Sequence, residues 1–287
     1  ATLNQIHTQI INDLNDATTI LPVSYGAAAD TRGRATKGAA FGLLSRLYLY
    51  REEWPKAEAA ARSTLAQGIY NTATDYAFYS GNTNEDVFTI QNSAIDNGKT
   101  GSGGWASFYN PAARGGRGDA PFSQDLINAY NSEAGDKRFN LKITGIATDG
   151  LSRFFTSKFP DAVNNSDNSP VIRTTEVYLN LAEALAHQNT TPNAEAITIL
   201  NSRIRDRAGL GPKAVATQQA LIDALLIERR KELAFEGHSR MDLLRNKQSL
   251  RTGNAAAAFG APKTILPIPQ REIDNNKGLQ GQQNPSY

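Results

Sequence analysis

The chain has 287 residues, 40% hydrophobic and 20% charged, with a net charge of +2. That is enough for a sizeable core in one large domain or two ordinary ones, and the balanced charge, with no basic stripe, argues against a nucleic-acid or membrane-surface binder. The absence of cysteine excludes disulfides, thiolate metal sites and cysteine nucleophiles, and no 18-residue apolar run is available to span a bilayer.

Taken in chain order, the first predicted element is an amphipathic helix in "ATLNQIHTQIINDLNDATTILP", with Ile6, Ile10, Leu14 and Ala17 on one face. Because the chain starts on Ala1 and inside structure, we expect either a removed leader or the C-terminal part of something longer. A second helix follows in "TKGAAFGLLSRLYLYREE", where Ala40, Leu43, Leu44, Leu47 and Tyr48 form an apolar stripe. A third runs from Pro55 to Gly68, with Ala57, Ala60, Ala61 and Leu65 on one side. Its small residues suit a tight antiparallel hairpin. The same grammar returns in "VIRTTEVYLNLAEALAHQ" and "TPNAEAITILNSRIRDRAGLG", where Thr191 is the expected cap and Gly209 the end. The segments Pro55–Ala59 and Pro192–Ala196 both read P-x-A-E-A at the start of a hairpin's second helix. Such repetition is the mark of a tetratricopeptide-like array. The last long helix is expected over about Thr217 to Glu236. After it, Pro267 and Pro269 force an extended path and Pro285 discourages a late helix, so the tail is expected to drape over the helices.

Residues 71–170 have a different texture. They are rich in Gly, Asn, Ser and Asp, contain β-like pieces such as "EDVFTIQ", and hold 13 of the 23 aromatics. A loop region of this kind must fold its rings onto the core or display them, and long insertions on rigid scaffolds are where function concentrates. The predicted class is therefore mainly α: tetratricopeptide-like hairpins as a scaffold, with a loop-rich insertion containing short β pieces. The expected organisation is a helical hairpin region over 1–70, the insertion over 71–170, a second hairpin with the last helix over 171–240, and the tail over 241–287.

Four ordered stretches carry a family resemblance: "GRATKGAAFGLLSRLYLYREEWPKAEAAA", "VIRTTEVYLNLAEAL", "ERRKELAFEGHSRMDLLR" and "LPIPQREIDNNKGLQGQQNPSY". Together they resemble the SusD/RagB outer-membrane lipoproteins of Bacteroidetes over nearly the whole chain. The resemblance implies one SusD-like domain that lacks the family's N-terminal region. It also implies a surface-exposed protein of the outer membrane, anchored by a lipid on a cysteine in that missing region, which captures glycans, starch-like or other, for a TonB-dependent transporter. It implies neither catalysis nor a cofactor.

Three clusters invite chemistry. Glu228–Arg245 concentrates acid–base residues, yet Glu228, Glu232 and Glu236 stack at spacings of four and would repel unless cations interleave. We read an ion-pair network, with Arg229 reaching Glu232, Lys231 reaching Glu228, and Arg203, Arg205 and Arg207 supplying more. His238 and Asp242 lack the further ligands of a zinc site, and no metal site is expected. "SAIDNGKT" is a poor phosphate loop because Ser93 replaces its first glycine, and the tripeptide Arg117–Asp119 is read as coincidence. The third cluster, "GSGGWASFYNPAARGGRGD", is the expected ligand site. Trp105, Phe108 and Tyr109 offer planes for sugar C–H faces, and Asn110, Arg114 and Arg117 offer donors, with Tyr79 a weaker addition. Its glycines argue against a helix there and for surface display. The rival readings are a tetratricopeptide-type protein adaptor without a sugar site, and a glycosidase using two of Asp119, Asp125 and Asp136.

Overall fold

The computed structural model describes residues 2–98 and 104–287. Two compact units divide it, residues 1–236 and 237–287. In the first, helix α1 (Leu3–Ile20) starts from a capping box: Gln5 N–H donates to Thr2 Oγ1 and Thr2 N–H donates to Gln5 Oε1. After a short α2 (Ala28–Gly33), α3 (Lys37–Tyr50) and α4 (Trp54–Leu65) form the first hairpin. Ala57 and Ala61 are fully buried, so α4 lies close to α3. The α1 face differs from the expected one. Ile6 and Ile10 stay substantially exposed, while Ile11 and Leu14 pack with Leu44 and Tyr48 of α3. Arg51 holds this rotation through His7 Nδ1 at 2.9 Å.

The insertion is pinched at its base by an antiparallel pair, β1 (Asp86–Ile90) against β4 (Ser169–Arg173). Between them lie α5 (Trp105–Tyr109), α6 (Gln124–Asn131, capped by Ser123) and the hairpin of β2 (Lys142–Ile146) with β3 (Ser152–Thr156). Most of the aromatics fold inward in two clusters. One is built on Phe78, Tyr79 and Phe159, the other on Phe122 and Tyr130.

The chain then enters α7 (Thr174–His187), which packs against α4 and is buried on nearly every side rather than along one stripe. Glu176, Asn180 and Glu183 are buried in it, and Arg46 of α3 forks onto Glu176 with two bonds of 2.6 Å. Helix α8 (Ala194–Ile199) begins two residues later than its proline suggested. Asn193, not Thr191, accepts from the Ala196 N–H, because Asn in extended conformation caps well and leaves Pro192 outside. A π-helical turn over Leu200–Arg205 continues α8, and Gly209 follows in the left-handed region. Thr217 caps α9 (Gln218–Glu232), and Leu181, Leu185, Leu200, Leu221 and Leu225 fill the main core between these helices.

In the second unit, α10 (Ser239–Arg245) resumes after Gly237, and Asp242 pairs with Arg245 at 2.9 Å. Leu266 and Ile268 lie outside any helix, their backbone held by the Asn284 and Gln283 side chains. The late helix that the prolines argued against does exist as α11 (Gln270–Asn275). Pro269 sits just before its first turn, where a missing N–H costs nothing. Among the described residues no helix is long and apolar enough to cross a membrane.

Candidate functional site

Gly101 and Gly103 of the aromatic loop, and Lys99 and Thr100 of the phosphate-loop look-alike, lie outside the described residues. From Gly104 onward the loop does contain a helix, contrary to the expectation from its glycines. The reason is a distant cap: Asn165 Oδ1 accepts from both the backbone N–H and the hydroxyl of Ser107, at 3.0 and 2.8 Å. Gly104 permits this approach, since a Cβ there would sit 2.2 Å from Asn165 Oδ1. The chain then folds back on itself. Arg117 N–H donates to Ser107 O and Gly118 N–H to Asn110 O, while a Cβ on Gly116 would fall 2.1 Å from that Asn110 oxygen. Because the obstacle is backbone, Gly116→Ala should cost about 2 kcal/mol and open the turn. Urea unfolding with ligand titration would read both effects.

The predicted site residues separate into two groups. Phe108 is 38% exposed, and the Arg117 guanidinium lies over its ring at 4.6 Å. Arg117 also pairs with Asp119 at 2.5 Å. Trp105 and Tyr109 are half-buried, edge-on to each other at 6.0 Å. Trp105 is braced against Phe159 at 5.0 Å and Tyr109 against Phe235 at 5.3 Å. Arg114 is exposed on the neighbouring turn. Asn110 and Tyr79, by contrast, face inward. Asn110 Nδ2 donates to Ala106 O and Phe159 O, and the Tyr79 hydroxyl donates to Glu236 Oε1 at 2.8 Å. The structure thus brings together the rings and Arg117, and gives Asn110 and Tyr79 the task of holding the platform.

The Glu228–Glu236 acids lie in a buried charge network. Glu228 meets Arg138 at 2.6 Å and Arg205 at 2.7 Å. Glu232 meets Arg173 at 3.0 Å and pairs with Arg207. Glu236 takes Arg173 Nε at 2.7 Å and Lys158 Nζ at 2.6 Å. Burial pushes the Glu232 carboxyl up, but Arg207, Arg173 and Arg138 outweigh it and bring it down to about 2. The cations come mostly from other segments, not from within α9. Arg229 points instead to Asn180 at 2.7 Å, Lys231 lies 3.5 Å from Asp136, and Arg203 covers Tyr178. The helix geometry sends these neighbours to different faces. Sequence reading missed Arg138, Lys158, Arg173 and Glu85, whose partners lie 59 to 90 residues away. Of the carboxylates considered for hydrolysis, Asp136 is buried and forked onto Arg138 at 2.8 and 2.7 Å. Asp119 and Asp125 are exposed.

Among solved structures, a SusD superfamily protein from Bacteroides vulgatus matches with TM-score 0.80 and 26% identity, over 100% of this chain and 66% of that one. Another, from Bacteroides thetaiotaomicron, matches with TM-score 0.78 and 26% identity, over 99% and 67%. Surface glycan-binding protein A of Bacteroides uniformis, at 21% identity, shares the fold with TM-score 0.73 over 99% and 69%. The chain therefore spans about two thirds of the length of these structures. No curated protein matches it. The model of the SusD family matches residues 123–287, more than half of the sequence. With the helical frame and the aromatic insertion in place, the chain belongs to the SusD family.

Proposed function

We propose that this chain is the glycan-recognising part of a cell-surface protein that binds an oligosaccharide, starch-like or other, without cleaving it. On this reading residues 71–170 carry the ligand surface, and residues 1–70 and 171–240 hold it. The whole protein, lipid-anchored at the outer membrane, delivers its ligand to a TonB-dependent transporter. Family membership supports carbohydrate binding, as does a neighbour described as a surface glycan-binding protein.

One observation carries the reading. An exposed phenyl ring, Phe108, stands with a guanidinium over it on a base of interlocked rings. A pyranose can lay its C–H face against the exposed part of this surface, the Phe108 ring and the guanidinium that covers it, while Arg114 and Arg117 donate to its hydroxyls. The rings are locked before the ligand arrives, so little entropy is lost on binding. Phe108→Ala should weaken binding about tenfold, or about 1.4 kcal/mol, at unchanged melting temperature. Calorimetric titration across a panel of oligosaccharides would measure this, with a reducing-end assay alongside. Equal affinity for the variant would remove the loop from the site, and new reducing ends would make the protein a hydrolase.

Protein docking is the second reading, favoured by a separate pocket of about 360 Å³ between the hairpins. Leu65, Tyr178, Leu181 and Ile199 line it, and the Arg62–Glu195 ion pair (2.6 Å) joins α4 to α8 beside it. It is compatible with the first, since docking to a transporter is itself such an interaction.

A further inference from the structure

Away from the aromatic loop, a second pocket of about 450 Å³ opens between residues 24–32 and 68–84. That lies within the range of small-molecule sites, roughly 300–1,000 Å³. Tyr25, Tyr70, Ser24, Asn71 and Asn84 line it, and Arg32 of α2 contributes a side chain that is only 6% exposed. Among the described residues no aspartate or glutamate lines it.

The hydrogen bonds in the pocket are lopsided. Arg32 Nη1 donates to Asp86 O at 3.0 Å, and Nη2 donates to Ile69 O at 2.7 Å and Asn84 Oδ1 at 3.0 Å. All three acceptors are neutral. Asp86 turns its carboxylate to the Thr83 N–H at 2.8 Å instead of to Arg32. Burial accordingly pulls the Arg32 guanidinium below its ordinary value. The Asn71 and Asn84 side-chain oxygens are both taken, by the Thr72 N–H and by Arg32. What the pocket leaves over is donors: the Nε–H of Arg32 and the two amide NH₂ groups make no hydrogen bond among the described residues. A buried guanidinium that lies over the Tyr70 ring at 5.0 Å, hydrogen-bonds only to neutral acceptors and feels the Asp86 carboxylate only through space, with the exposed Asn71 and Asn84 amides at the pocket rim, suits a ligand rich in acceptors and carrying one negative charge. A neutral hexose offers the guanidinium no anionic acceptor, and a bare small anion leaves the Tyr25 wall unused.

We propose that this pocket binds a carboxylate-bearing sugar residue, a uronic acid, with its carboxylate toward Arg32 and the Asn71 and Asn84 amides and its ring beside Tyr25. The inference does not depend on the aromatic surface of the insertion. Asn84→Asp is the informative variant, because its carboxylate still accepts from Arg32 Nη2, so the fold keeps its bond while the site gains a repelling charge. The test is an NMR titration of the chain with sodium glucuronate, following side-chain amide signals, with glucose and inorganic sulfate as parallel arms. The expected result is a saturable shift of the Asn71 and Asn84 amides with glucuronate and none with glucose. Affinity should fall at least tenfold in Asn84→Asp at unchanged melting temperature and stay the same in Phe108→Ala. Absence of a saturable shift, an equal response to glucose or to sulfate, or wild-type affinity in Asn84→Asp would overturn the assignment.

Discussion

Glu236→Ala should lower the unfolding free energy by about 3–5 kcal/mol, the cost of leaving buried cations without their partner. In a unit of this size that corresponds to a melting temperature lower by on the order of 10 °C. The substitution strips the carboxylate from Arg173 Nε and from Lys158 Nζ at once, and removes the acceptor of the Tyr79 hydroxyl. Neither cation can reach water, as both are nearly fully buried. Glu236→Gln provides the control. It keeps one acceptor oxygen but not the charge, and should lose a smaller part of the stability. Glycan affinity should be retained by both variants at a temperature where they are folded. If stability were unchanged while binding vanished, these acids would be part of a recognition or chemical site and the structural reading of Glu228–Arg245 would fall.

Acidification should unfold the protein steeply below about pH 4.5. Glu232 has its carboxyl brought down to about 2 against an ordinary value of 4.5. Arg205 brings the carboxyl of Glu133 down to about 2 as well. Glu236 is held well below the usual range because Arg173 and Lys158 outweigh its burial. A depressed carboxyl stabilises the folded state fully above its unfolded value, and that contribution drains away as pH falls toward the folded one. For Glu232 alone the loss between pH 4.5 and about 2 is roughly 3 kcal/mol. Asp86 runs the other way. Burial pushes its carboxyl up to about 6, so the folded state gains stability as pH falls from about 6 toward 3.8. The denaturation midpoint in urea should therefore change little, or rise slightly, from pH 7 to 5 and then collapse. A midpoint that declined evenly from pH 7 to 3 would show that the buried acids are not charged in the folded state.

The frame was legible in the sequence because it is local. Pro55, Gly68, Thr217 and the alanines of α4 act through neighbours within a turn or two, and each does in the structure what its chemistry implies. Where a boundary slipped, as at Thr191 and Asn193, two capping residues stood two positions apart and the better capper, Asn193, took the role. The faces of α1 and α7 were less legible, since periodicity gives a stripe but not what lies opposite it. Of the charged partners, Arg205 and Arg207 were legible as suppliers of cations, while those from the insertion were not. Nothing local in Lys158 marks it for burial, because its acid, Glu236, arrives only after the chain has closed, and Arg138 has just one acid nearby, Asp136, the other coming from α9. The loop around Trp105 shows the same limit: the glycines pointed to an open coil, and it took Asn165, sixty residues on, to close a helix there. Asn110 and Tyr79 carry polar atoms that suit a sugar, yet the fold uses those atoms to hold its own backbone and Glu236.

The line of acids along α9 and its following turn has a consequence for how the molecule comes apart. Glu228 ties down the segment around Arg138, Glu232 the β4 end and the π-turned helix, and Glu236 the strand exit at Lys158. Peeling any one of these pieces away would strand a bare ion in oil, so partial opening is penalised almost as heavily as complete melting. The insertion and the helices are thereby welded into one all-or-none folding unit, and drift in the outer loops leaves its seam untouched.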